Sequence, residues 1–378
     1  MDHVDQVRRG LLIAAAASAL LLAAGCSTES GSSSSAPSRS PSPTISAQPS
    51  PETSAITNDP QLQLLEHYEA ETGVEWQMMY FVGFPENEVD ARTQATEMAQ
   101  TLKSWSRAGV SPLVIMEPTF NGGQDNMNLT AFGRGKYDHA LNEYFGTLKD
   151  LGVTEDQLGT LVPFPEPNTP SWAGGVTDPG LFIHNTTKVA DAYHQYFPDA
   201  KVSIMLDSQT FLPSPDPNWA NGTMNPNALL QYVNFKAGTI DSFGLQGFTW
   251  DNKDDPSTFL SGQAAIACAR QMGVTHVWFN TGTYSTVNNP NGEGIIMAGD
   301  ARRAEVLRGV LAQAEDVQRA GLTVDFINIF GQDKLDKSAN GSGTADYQYA
   351  DRHELQTLKH FVDAAKAHDI PVTIFDAP

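Results

Sequence analysis

Glu166 stands at the end of a short apolar run. Residues 158–172 read LGTLVPFPEPNTPSW, with one carboxyl among prolines and with Asn168 and Trp172 just beyond it. A carboxyl of this kind can deliver or accept a proton, provided burial holds its pKa above that of an exposed, fully ionised glutamate. Phe164, the prolines and Trp172 are the expected source of that burial. Other acids and amides also close apolar runs: Glu117, Asp207, Gln246, Trp250-Asp251 and Asn280, with Tyr284 shortly after. Proton transfer by Glu166, with Asp207 or Asp251 as a second carboxyl, is the chemistry these positions could support. Glu117, Asn168, Trp172, Gln246, Trp250, Asn280 and Tyr284 are expected to line the same site and hold a ligand.

The elements that must position these residues follow from hydrophobic period. Leu158, Leu161, Val162 and Phe164 suit a buried strand, while Pro163, Pro165 and Pro167 cannot donate ladder hydrogen bonds and place Glu166 at its carboxyl end. Before it come a helix over 61–72, a strand over 74–83, a helix over 86–108, the run from Ser111 to Glu117 and a helix over 136–151. In that last helix Leu141, Tyr144, Phe145 and Leu148 share one face. After it, helices near 182–196, 227–235, 257–272, 300–320 and 352–368 alternate with strands 201–207, 240–250, 274–280, 324–330 and 371–376. About eight strands separated by helices is the number at which a parallel sheet closes, so an α/β fold of the (β/α)8 barrel type is expected. An open doubly wound sheet is the alternative. The domain enters by a helix and leaves by a strand, as though the usual first strand were supplied from the C-terminus.

In such a barrel, ligands bind where the strands end, because the loops there vary while the strands hold them. Carboxyls and amides mixed with aromatic faces suit carbohydrate, which offers hydroxyls to hydrogen-bond and C–H faces to stack. Trp278 gathers with the aromatics of this edge but lies inside a strand, so core packing is at least as strong an expectation for it as a place at the site. Glycoside hydrolysis needs two carboxyl groups, one protonated to aid departure of the leaving oxygen and one ionised to attack or to activate water.

Val162-Pro-Phe-Pro-Glu-Pro-Asn168 followed by Trp172 resembles the acid/base segment of glycoside hydrolase family 26, of clan A, whose pattern is Arg-Pro-x-His-Glu-x-Asn with a nearby Trp. Pro112 to Pro118 resembles that family's third strand and Asp241 to Phe248 its sixth. The resemblance implies a (β/α)8 barrel and a carbohydrate substrate, with Glu166 as general acid/base. The chain departs from the pattern in three places. Pro165 replaces the family's histidine, Val162 its arginine, and Asn280 falls where the seventh strand should end in a nucleophilic glutamate. An amide cannot form a glycosyl ester. Either another strand supplies the partner acid, with Asp207, Asp251, Glu117 and Asp333 as candidates, or the protein binds sugar without cleaving it. A substrate-capturing transporter subunit is disfavoured, since such proteins show two α/β lobes.

The address is read from the N-terminus. Arg8 and Arg9, an apolar run to Ala24 and Gly25-Cys26 form a secretory signal, and Leu22 to Cys26 resembles a lipobox whose cysteine would be acylated. Residues 1–25 are the expected signal and 26–60 a disordered Ser/Pro-rich tether; 61–378 would form the barrel. The protein would then be extracytoplasmic, held on a bacterial cell membrane through Cys26 alone. With that residue acylated, no intrachain disulfide is possible, and Cys268 is expected in the core. A net charge of −21 disfavours nucleic acid, anionic lipid and polyanionic glycans, leaving a neutral oligo- or polysaccharide as the expected partner. There is no HExxH, paired Cys/His spacing, Gly-rich phosphate loop or Gly-x-Ser-x-Gly elbow, so no metal or cofactor is expected, and a monomer is.

Overall fold

Asn87 shows how local sequence starts an element here. Its side chain accepts hydrogen bonds from the backbone N–H groups of Val89 and Asp90, each 3.0 Å, and so caps the helix Glu88–Arg107. Glu88 and Asp90 lie in the first turn and Arg107 in the last, each favourable for the helix dipole, and Ala91, Ala95, Met98, Ala99 and Leu102 form the buried face. The helix Asp138–Asp150 buries Leu141, Tyr144, Phe145 and Leu148, as the spacing predicts. The helix Gly262–Met272 is capped by Ser261 and stopped by Gly273 in the left-handed region. It buries Cys268, whose thiol is pushed up to about 12 by burial and is therefore inert.

This computed structural model describes residues 60–120, 125–168, 178–208, 229–248, 260–282, 286–288, 295–297, 299–331, 334–336, 343–346, 349 and 352–376. Its strands are β1 (Glu75–Gly83), β2 (Ser111–Glu117), β3 (Thr119–Phe120), β4 (Asp125–Asn126), β5 (Thr160–Pro163), β6 (Lys201–Asp207) and β7 (Ser242–Phe248). They continue with β8 (His276–Gly282), β9 (Thr286–Asn288), β10 (Ile295–Met297), β11 (Thr323–Phe330), β12 (Lys334–Asp336), β13 (Gly343–Asp346) and β14 (Val372–Asp376). The closed barrel runs β1-β14-β11-β8-β7-β6-β5-β2, with every neighbouring pair parallel. The closing strand is β14, which pairs with both β11 and β1, so the C-terminus supplies the strand that completes the cylinder. The helix Pro60–Thr72 and the residue after it are tied to the C-terminal part of the barrel domain. Lys366 Nζ donates to the carbonyl of Gly73 (2.7 Å), and Tyr68 Oη accepts from the backbone N–H of Tyr349 (3.2 Å).

Two cores result. The larger lies between barrel and helices. The smaller fills the barrel interior with Met79, Leu113, Ile115, Val162, Met205, Trp278 and Phe330. Trp278 is thus a core residue: its indole covers Gly244, where a Cβ would lie 2.2 Å from the ring, and its Nε1 donates to Ser203 Oγ at 2.8 Å. Segments following β8 and β11 build a four-stranded antiparallel sheet, β10-β9-β13-β12, on the carboxyl-end side of the barrel.

Candidate active site

Side chains alternate along each barrel strand, so the interior cluster fixes which strand-end residues face the mouth. Glu117 follows Leu113 and Ile115, Asp207 follows Met205, Asn280 follows Trp278, and Asn328 lies between Phe326 and Phe330, all on the inward side. Gln246 shares that side with Gly244, beneath the Trp278 indole. Register places Asp207 beside Gln246, Gln246 beside Asn280, and Asn280 beside Asn328.

Glu166 is reached differently from the sequence expectation. Strand β5 stops at Pro163, and Glu166 stands three residues beyond it, buried at 8% exposure. Three prolines leave only alternate residues with an N–H. The Phe164 N–H goes to the carbonyl of Met116 in β2 (2.9 Å), and the Glu166 N–H to the carbonyl of Met205 in β6 (2.8 Å). The segment is thereby stapled to both neighbouring strands. Phe164 and Glu166 adopt φ of 51° and 49°, a left-handed backbone that costs a non-glycine residue about 1–2 kcal/mol. Strain of this kind persists only where the surroundings over-determine it, and it gathers at functional sites. The Phe164 ring packs against Phe84 (4.9 Å between centroids, stacked) and Phe132 (5.6 Å, edge-on).

Asn168 continues the staple. Its Nδ2 donates to the carbonyl of Asp207 (2.7 Å) and its Oδ1 accepts from the Asp207 N–H (3.0 Å), so one amide side chain imitates a strand partner. The loop carrying Glu166 and the strand end carrying Asp207 therefore move as one body. Asn168, expected among the ligand-holding residues, has both amide groups engaged in positioning Asp207.

Glu117 is partly buried at the end of β2. Burial first, and the neighbouring Glu166 charge second, push its carboxyl up to about 7. The two glutamates therefore form a pair on adjacent elements, close enough to feel one another. The folded chain keeps the Glu117 proton where the unfolded chain has lost it. This contribution to stability is complete below pH 4.5, declines as pH rises towards about 7, and is flat above. Denaturant unfolding measured from pH 4 to 8 should show that decline, and Glu117→Gln should flatten it; equal slopes in both proteins would contradict the pairing.

Asn280 belongs to a ladder of polar side chains. Its Nδ2 donates to Gln246 Oε1 (2.6 Å), and its Oδ1 accepts from Asn328 Nδ2 (3.2 Å). Asn328 Oδ1 accepts in turn from Thr373 Oγ1 (2.9 Å). The ladder spans β7, β8, β11 and β14, and Asn280 and Asn328 are at most 1% exposed. Its adjacent-register bonds could not be read without knowing the strand pairing. The alternation of polar with apolar residues in Phe326-Ile-Asn-Ile-Phe330 was the available signal for Asn328. Cys26, Trp172, Trp250, Asp251, Tyr284 and Asp333 lie outside the described residues. Among the described residues, no group of three or more His, Cys, Asp or Glu side chains could hold a metal ion, and no helix is long and apolar enough to cross a membrane.

The sequence matches no protein-family model and no curated protein. Among solved structures, similar ones are found. The exo-beta-1,4-mannosidase Op5Man5 from Opitutaceae bacterium strain TAV5 superposes with a TM-score of 0.51 at 16% identity, over 82% of this chain and 56% of that one. This chain thus spans little more than half of that enzyme, and the likeness shows the barrel fold. A beta-glucosidase from Thermotoga maritima, solved with castanospermine, gives 0.48 at 9% identity, over 82% of this chain and 87% of that one.

Proposed function

We propose that this protein is a glycoside hydrolase of the family 26 type, acting outside the cytoplasm on a neutral polysaccharide or cell-envelope glycan and tethered to the membrane through lipid on Cys26. The observation that carries the reading is Glu166: a buried carboxyl in strained backbone, stapled to two strands at the carboxyl end of a (β/α)8 barrel beside a second carboxyl. Counting β14 as the first strand makes β2 the third, β5 the fourth, β7 the sixth and β8 the seventh. The third, sixth and seventh are the places the resemblance assigns to the segments that carry Glu117, Gln246 and Asn280. Likeness of the barrel fold to that of a mannosidase supports the reading without extending to substrate.

In this mechanism the proton retained by the Glu117–Glu166 pair passes to Glu166 when the glycan is bound, and the Glu166 carboxyl gives it to the glycosidic oxygen as the anomeric C–O bond breaks, while a water adds to the anomeric carbon. Asp207, clamped by Asn168 to the Glu166 loop, takes the water's proton. Asn280 has no carboxylate to attack with, so no covalent ester forms there. A second reading, sugar binding without cleavage, draws on the same Asn280, whose two amide groups are committed to the ladder. Incubating the full chain with neutral β-linked gluco- and manno-oligosaccharides and measuring new reducing ends separates the two. Release of shorter oligosaccharides is expected, whereas binding with no cleavage across the panel would favour the second reading.

A further inference from the structure

The inward place at the end of β1 falls to Gly83, the register partner of Glu117. A side chain cannot fill it: a Cβ there would lie 2.8 Å from the carbonyl oxygen of Thr119 and 3.3 Å from its Oγ1. Thr119 occupies that space instead, fixed by the bond from the Phe84 N–H to its carbonyl (2.8 Å). Its hydroxyl therefore lies against Gly83, the register partner of Glu117. Thr119 is 5% exposed, and Oγ1 has no hydrogen-bond partner among the described residues. A buried hydroxyl left so costs about 1–3 kcal/mol, which a ligand atom at that point would recover.

From this geometry we infer that Glu117 and Thr119 form a subsite for the ammonium group of an unsubstituted amino sugar, so that the glycan taken by this site carries at least one free amine. The inference rests on the glycosidase reading and names its substrate class. An ammonium donates three hydrogen bonds, enough for a carboxylate and a hydroxyl together. A positive charge also offsets what acts against ionised Glu117, namely burial and the Glu166 charge, which a neutral hydroxyl of the sugar does not. One carboxylate and one hydroxyl are too few oxygens to hold a calcium or magnesium ion. The acetylated form of the sugar would bring an uncharged amide with a single N–H, and would lose both advantages.

The test is calorimetric titration of the full chain at pH 7 in physiological salt. The probes are a β-1,4-linked glucosamine tetramer, its fully N-acetylated counterpart and neutral gluco- and manno-tetramers. The free amine is expected to bind at least ~10-fold more tightly than its acetylated counterpart. Glu117→Gln and Thr119→Val should each bring that ratio towards one, with thermal melts showing that the variants fold. Equal or weaker binding of the amine would overturn the inference while leaving the glycosidase reading intact. So would an undiminished preference in both variants, because attraction would then come from the overall negative charge. If no tetramer of any class binds, the glycosidase reading falls as well.

Discussion

Glu166→Gln is expected to lower glycan turnover by about 10²–10⁴-fold while leaving oligosaccharide binding in place, because the amide keeps the shape of the side chain but has no proton to give. The backbone of this segment does not depend on the carboxyl for its staples. Position 166 is held by its own N–H and by the staples at Phe164 and Asn168, none of which involves the carboxyl. A second consequence follows at Glu117. Removing the Glu166 charge deletes one of the two causes that raise the Glu117 carboxyl, so its titration should move down and the decline in stability between pH 4.5 and about 7 should shorten. Initial rates and the pH dependence of unfolding, measured on the same variant, check both. Unchanged turnover would remove Glu166 from the chemistry, and an unmoved pH profile would separate it from Glu117.

Asn280→Leu should destabilise the fold by about 2–5 kcal/mol although Leu keeps the branched shape of Asn. The substitution strands the Nδ2 of Asn328, which is fully buried and whose Oδ1 is bound to Thr373. It also removes the donor to Gln246 Oε1, although Gln246 is partly exposed and can turn towards water. Most of the loss therefore falls on Asn328. Asn280→Asp should cost less, since a carboxylate still accepts from Asn328 and Gln246 can present its amide N–H after a flip of the side chain. Chemical denaturation of the two variants distinguishes them. Losses below about 1 kcal/mol for Leu would show that the ladder is not what keeps an amide at this position.

The barrel was legible because its signals are local and repeated. Apolar runs of strand length alternated with helical spacing, as in Leu141, Tyr144, Phe145 and Leu148, and the run at 371–376 stood where a closing strand was needed. For Trp278 the sequence left core and site edge both open, and the structure places it in the core. The arrangement of the site was less legible, because it depends on register. That Asn280 meets both Gln246 and Asn328, and that Asn168 grips the backbone of Asp207, are facts of strand pairing across gaps of 34–48 residues. The prolines around Glu166 correctly announced the end of a strand, but not the left-handed turns at Phe164 and Glu166 that send the phenyl ring to the outer core. Glu117 was visible as a strand-end acid. Its coupling to Glu166 appears only when β2 and the segment after β5 lie side by side.

The most direct measurement is a crystal structure of the Glu166→Gln variant with an intact oligosaccharide. The sugar should lie across the carboxyl ends of the barrel strands, with one glycosidic oxygen within about 3 Å of the side chain at position 166. A glycan seated away from the barrel mouth, or one whose glycosidic oxygens all lie beyond hydrogen-bond reach of that side chain, would contradict the assignment of Glu166 as the acid.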